Sequence, residues 1–271
     1  SAPDPFVFTE SAVAQAGNSD VSTKTLSSQT INGGIRNIVL IVDGQSNVCN
    51  VGSTVYTPTN PTKLDNFNLY DGAIYKAAGA LQGCSSIKDA NNAPTGRSVA
   101  FVAADTIITN NIADRVILIP MGVGATMIAD HVSGASSTRL QVVANRWKAR
   151  GFLLSQISGI MWGQGESDAA GGTLQAAWQA SFASYVAAWR ALGVNCPIFV
   201  ATETWNSGAA NATIQAAQAA VVNHGSGIWA GPNLDVLDNT NRNGGTDFND
   251  TGVNAAGALW QTALHAFGAP F

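Results

Sequence analysis

Charge is what this sequence has least of. Asp, Glu, Lys and Arg make up 11% of its 271 residues, against roughly 25% in ordinary soluble domains. Thirteen Lys and Arg are scattered among seventeen Asp and Glu, for a net charge of −4. Nucleic-acid binding needs a concentrated basic surface, and none is present. No apolar run reaches bilayer-spanning length, so no membrane partner is expected. The opening Ser1-Ala2-Pro3-Asp4-Pro5 has neither the basic n-region nor the apolar h-region of a signal peptide. Cysteine is sparse as well. Cys49, Cys84 and Cys196 cannot all pair within one chain; a Cys49–Cys84 bridge and three small buried thiols both fit. No Cys-x-x-Cys or His-x-x-x-His spacing points to zinc. The abundance of Gly, Ala, Asn, Ser and Thr makes a surface that is polar without being ionic. It favours an extracellular or virion-associated protein that handles neutral ligands. Oligomeric state is not legible.

From Asn37 onward, strand and helix patterns alternate. Ile38-Val39-Leu40-Ile41-Val42 is a continuous apolar run, as expected of a strand buried on both faces of a parallel sheet. Further strands are predicted at Arg115–Pro120, Ile157–Trp162, Pro197–Ala201 and, with a weaker pattern, Ile228–Ala230. Helical spacing covers Ser98–Ile112, Arg139–Arg150, Leu174–Leu192, Ala210–Asn223 and Thr251–Phe267. The alternation predicts an α/β fold over residues 35–271, a three-layer α/β/α sandwich around a central parallel sheet. Ligands in such folds sit beyond the carboxyl ends of the strands. Residues 1–34 carry short β-prone runs, Phe6-Val7-Phe8, Val21 to Leu26 and Thr30-Ile31, and read as a small β appendage. The stretch from Cys49 to Pro94 has little periodicity and reads as a long loop walling the cleft.

Four segments fall at the predicted ligand edge. Ser46, in Asp43-Gly44-Gln45-Ser46-Asn47 after the first strand, could expose its Oγ beside free backbone N–H groups. A plainer use of such a serine is to cap the next helix. Gly122-Val123-Gly124-Ala125-Thr126 follows the second strand, where a glycine backbone can approach a reacting carbonyl or merely turn. Trp162-Gly163-Gln164-Gly165-Glu166-Ser167-Asp168 follows the third. Gln164 could aim an amide donor into the cleft, worth roughly 3–4 kcal/mol in comparable sites, while Ser167 or Asp168 could cap a helix. Glu166 needs donors in so crowded a loop and reads as structural. In Gly244-Gly245-Thr246-Asp247-Phe248-Asn249-Asp250-Thr251-Gly252, Asp247 is either functional or a turn residue, and Asp250 a helix cap. Of three histidines, His131 lies at the same end of the sheet as Ser46. His224 and His265 sit near helix C-termini, where the dipole suits a cation.

The Gly-Gln-Ser-Asn and Gln-Gly-Glu-Ser-Asp blocks, in that order and each after a strand, resemble the SGNH hydrolase superfamily. The likeness is to its sialate O-acetylesterase-like and acetylxylan-esterase-like branch. Leu69–Tyr75, Asp114–Pro120 and Pro197–Ala201 look like the family's intervening segments, so the resemblance covers about residues 36–268. It implies a flavodoxin-like sandwich with Ser46 as nucleophile. The oxyanion hole would come from the Ser46 N–H, one of Gly122 or Gly124, and Gln164. Asp43, Gln45, Glu166, Asp168 and His131 would be auxiliary or substrate-binding. No cofactor or metal is implied, because a nucleophile and an oxyanion hole need neither. The family's closing pattern is Asp-x-x-His with a Gly five residues after the His. In register with Gly252, Asp247 takes the His slot and Gly244 the Asp slot. A carboxylate is a weaker proton acceptor than imidazole, and His131 is the other base the sequence offers.

Three functions fit these residues. One is an esterase acting on an acyl ester of a polysaccharide or glycan through Ser46, with Asp247 or His131 as base. Another is a glycoside hydrolase using Asp247 with Glu166, Asp168 or Asp43, which needs carboxyl groups roughly 5–9.5 Å apart. The third is a carbohydrate-binding module whose dyad has decayed, with Trp162, Tyr70 and Tyr75 stacking on sugar rings.

Overall fold

The structure is a computed structural model and describes residues 17–86 and 96–271. Its centre is β1 (Asn37–Gly44), buried from Ile38 onward. Val39 and Ile41 face one layer, and Ile38, Leu40 and Val42 the other. That two-sided burial is why the run is apolar at every position. Around β1 lie β2 (Leu64–Phe67), β3 (Ile74–Lys76), β4 (Arg115–Pro120), β5 (Gly159–Gly163), β6 (Ile198–Thr202) and β7 (Ile228–Asn233). The order across the sheet is β3-β2-β4-β1-β5-β6-β7. All neighbours are parallel except β2 and β3.

Helices cover both faces. On one lie α1 (Val99–Thr109) and α6 (Asp250–Phe267), with Phe101, Ile107, Trp260 and Leu264 buried against Leu40, Val42 and Leu118. On the other lie α2 (Thr138–Ala149), α4 (Gln175–Leu192) and α5 (Ala212–Ala220), with Trp147, Trp178, Phe182, Trp189 and Ile214 packed on Val39, Ile41 and Ile160. A short α3 (Glu166–Gly171) follows β5, and a two-residue hairpin, β8 (Arg242–Asn243) with β9 (Asp247–Phe248), precedes α6. This is the three-layer sandwich with a flavodoxin-like core. Leaving β2 and β3 aside, β4-β1-β5-β6-β7 is the doubly wound 2-1-3-4-5 order, whose switch point lies at β1. The turns after β1, β4 and β5 therefore meet at one crevice.

The loop expected from Cys49 to Pro94 contains β2 and β3. Their polar residues hid them. Asp65 of β2 is buried because Arg115 Nε reaches it at 2.5 Å and Lys76 Nζ at 2.8 Å. Asn66 is held by Gln82, which accepts from and donates to its amide. Residues 17–34 lie along the β3 edge, with one isolated bridge, Leu26 to Tyr75. Arg115 anchors them by donating to Ser28 and Thr30 carbonyls. The run Phe6-Val7-Phe8 lies outside the described residues. All three cysteines are unbridged. Among the described residues no helix is long and apolar enough to cross a membrane.

Candidate active site

β1 ends against β5 so closely that any side chain on Gly44, at φ +134°, would run into the Gly163 carbonyl. This contact throws the next residues out over the sheet edge, where Ser46 opens a short 3-10 turn, Ser46–Val48. Ser46 is half-buried, and its Oγ donates to Asp247 Oδ1 at 2.6 Å. Two residues 201 positions apart thus form one charge-assisted hydrogen bond. A hydroxyl held this way can pass its proton to the carboxylate.

Asn47 makes that meeting possible. Its Oδ1 accepts from the Phe248 N–H at 2.8 Å, and its Nδ2 donates to Glu166 Oε1 at 2.6 Å. One side chain therefore ties the β1 turn to both β9 and the start of α3. Arg242 fixes the hairpin from below. It donates to the carbonyls of Leu234, Leu237 and Thr246, and its guanidinium lies 4.3 Å from the Phe248 ring centroid. Neither role is visible in sequence, because each depends on partners remote in the chain.

The Ser46 and Gly122 N–H groups donate to no partner among the described residues, whereas the Gly124 N–H is taken by the Ser85 carbonyl at 2.6 Å. Gly122 packs directly behind Val48 and Cys49. Gln164 does not present its amide to the cleft. It is fully buried, donating to the Thr126 carbonyl and Asp168 Oδ2 and accepting from Trp178 Nε1. Gln45 is buried as well, its Oε1 receiving the Ser167 N–H at 3.2 Å and, more distantly, that of Gly165. These two glutamines lock the start of α3 beneath the site.

His131 is not beside Ser46. It is buried, with Nε2 2.9 Å from Thr126 Oγ1, Nδ1 3.6 Å from Asp43 Oδ1, and its ring edge-on to Trp162. Burial, with Arg139 nearby, depresses its pKa to about 3 and keeps it neutral. Asp43 accepts from Tyr185 Oη at 2.7 Å and from the Gly44 N–H. Asp168 accepts from the Ile128 N–H at 2.8 Å besides Gln164. Asp250 does not cap α6; Asn249 does, while Asp250 accepts from the Ser53 N–H at 2.6 Å. His224 stacks on Trp229, and His265 reaches the Phe271 carbonyl. Trp162, Tyr70 and Tyr75 are core residues and offer no ring to a ligand. Among the described residues no cluster of three His, Cys, Asp or Glu could hold a metal ion.

Beneath the site lie fully buried acids. Burial lifts Asp43 to about 7 and Glu166 to about 8, and raises Glu203, at the end of β6, well above the carboxylate range. Neither Glu203 carboxyl oxygen has a partner among the described residues. Acids whose folded pKa is raised hold protons that the unfolded chain has lost, so their contribution falls as pH rises from about 4 to 8. His131, depressed, works oppositely, but only between about pH 3 and 6.5. Above pH 6.5 these acids dominate. From pH 6.5 to 8 Asp43 and Glu166 together should lose roughly 2–3 kcal/mol, and Glu203 adds to that loss. Thermal melts across that range should show Tm falling by about 5 °C or more, and Glu166→Gln should reduce the slope without abolishing it.

Residues 36–240 match the family model described as carbohydrate esterase, sialic acid-specific acetylesterase. The match ends before the Gly244–Asp247 segment. No curated protein sequence matches the chain. Among solved structures, a protein from Arabidopsis thaliana superposes with a TM-score of 0.59 at 15% identity, over 86% of this chain and 99% of that one. A carbohydrate acetylesterase from Xanthomonas citri gives 0.56 at 15% identity, over 83% of this chain and 55% of its own. At such identity these likenesses speak for the fold. With three-quarters of its length matched by the family model, the chain belongs to the carbohydrate esterases of the sialic acid-specific acetylesterase family.

Proposed function

We propose that this protein is a carbohydrate O-acetylesterase in which Ser46 is the nucleophile and Asp247 its proton acceptor. The observation that carries the reading is the 2.6 Å hydrogen bond from Ser46 Oγ to Asp247 at the carboxyl edge of the sheet. In the first half-reaction Ser46 Oγ attacks the acetyl carbonyl and its proton passes to Asp247. The tetrahedral oxyanion is received by the Ser46 and Gly122 N–H groups. As the intermediate collapses, the Asp247 acid returns the proton to the departing sugar oxygen. Water then attacks the acetyl-enzyme, giving its proton to Asp247, and acetate leaves with Ser46 restored. A carboxylate makes a slower proton relay than imidazole, so turnover should be modest.

The glycosidase reading has less to stand on. It needs a second carboxyl facing the substrate beside Asp247, but Asp43, Glu166 and Asp168 are fully buried and bonded to protein donors. Trapping the intermediate tests the proposal. Acid quench during turnover of 4-nitrophenyl acetate, followed by peptide mass spectrometry, should find one acetyl group on the peptide containing Ser46. A peptide that never carries it, in an enzyme that is turning over, would refute a covalent mechanism.

A further inference from the structure

Seven tryptophans are present. Trp147, Trp162, Trp178, Trp189 and Trp260 are fully buried, and Trp229 packs against the core. Trp205 alone belongs to neither hydrophobic cluster. It is half-buried on the loop after β6, outside the core that takes up the other six.

Its surroundings hold it rigidly. Asp235 accepts from the Thr204 and Trp205 N–H groups at 2.8 and 3.0 Å. The indole N–H donates to Asn239 Oδ1 at 3.1 Å, and the Arg242 guanidinium lies 5.6 Å from the ring centroid. The same loop touches the hairpin that carries Asp247. The Ser207 N–H donates to Thr246 Oγ1 at 3.2 Å, and the Gly208 N–H to the Gly245 carbonyl at 3.1 Å. A fixed aromatic ring thus stands one loop away from the Ser46–Asp247 pair. Its partly or fully exposed neighbours Asn206, Ser207, Asn239 and Asn243 are uncharged hydrogen-bonding groups.

Arg242 is the one cation in the segments 203–210 and 234–248. It is buried, and its Nε, Nη1 and Nη2 each donate to a carbonyl, of Leu237, Thr246 and Leu234. No exposed guanidinium stands on these loops to receive a sugar carboxylate.

We infer that Trp205 is the platform of a sugar subsite that takes a neutral pyranose bearing the acetyl group, rather than an anionic sugar. Stacking buries the C–H face of the ring on the indole, and the surrounding amides and hydroxyls meet its hydroxyls. The inference rests on the esterase reading, and it concerns substrate class rather than bond cleavage.

Three substrates separate the two. 4-Nitrophenyl acetate carries no sugar, acetylated xylo-oligosaccharides are neutral, and an O-acetylated sialoside is anionic. Wild-type protein should have a higher kcat/KM on the xylo-oligosaccharide than on the sialoside. Trp205→Ala should raise KM on the xylo-oligosaccharide about tenfold, the equivalent of roughly 1.4 kcal/mol, with kcat little changed. Trp205→Phe should recover most of the loss, and turnover of 4-nitrophenyl acetate should stay within about twofold in both variants. An unchanged KM, an equal loss on 4-nitrophenyl acetate, or a preference for the sialoside would overturn the subsite. If no ester is turned over, saturation-transfer NMR with the same xylo-oligosaccharide still decides. Transfer abolished by Trp205→Ala upholds the subsite while the esterase reading fails; transfer that persists overturns it.

Discussion

Acetate release from acetylated oligosaccharides is expected to fall about 1,000-fold or more when Ser46 becomes alanine. The physical cost of the change is small, which makes the result readable. The Ser46–Val48 turn is held by backbone bonds, Val48 N–H to the Gln45 carbonyl and Cys49 N–H to the Ser46 carbonyl. Neither uses the serine side chain. The hydroxyl makes one hydrogen bond, to Asp247, which is half-buried and can turn to water once released. Melting temperature should therefore hold within a few degrees, and sugar binding should survive. Acetate release that persists in Ser46→Ala would mean that water attacks directly, with Asp247 as its base.

The second large effect runs the other way. Set in register with Gly252, the Asp-x-x-His pattern of the superfamily that the sequence resembles would place Asp at Gly244 and His at Asp247, and the backbone leaves room at Gly244. Gly244 sits at φ +63°, where non-glycine residues are strained, but Asp is among those that tolerate this region. A Cβ on Gly244 would meet nothing within 4 Å. The double variant Gly244→Asp with Asp247→His supplies an imidazole that can both take and return the proton, and a carboxylate to orient it. We expect kcat on 4-nitrophenyl acetate to rise about 10- to 100-fold, with a new limb in the pH profile near the ordinary histidine range of about 6.5. Asp247→His alone should gain less, since nothing then fixes its tautomer. A double variant that folds and gains no rate would show that the base is not what limits this enzyme.

Much of the fold was legible because burial on both faces writes itself into every position of a strand. Ile38 to Val42 and Arg115 to Pro120 are of that kind. β2 was not, because Asp65 and Asn66 are buried through partners that sequence cannot pair with them, Arg115 and Gln82. The site divides along the same line. The register of Gly252 brought Asp247 forward, and the fold carries it to 2.6 Å from Ser46. Gln164, read as a cleft donor, is instead an internal brace. An amide's direction depends on its acceptors, here Thr126 and Asp168, and no spacing encodes them. His131 fails as a base for a related reason. It lies at the right end of the sheet but in the wrong layer, against Trp162. Asn47 stood inside the recognised block, yet its clamp on Phe248 appears only when both ends of the chain are in place.

The most direct test of a serine acetylesterase built on Ser46 and Asp247 is a proton NMR time course of the wild-type protein with a panel of acetylated oligosaccharides. Free acetate and new anomeric ends are read in the same spectrum. The expected result is acetate accumulating while the anomeric region stays unchanged. New anomeric signals that vanish with Asp247→Asn would contradict it in favour of a glycosidase, and a silent spectrum over a sugar that still binds would leave a lectin in an esterase's fold.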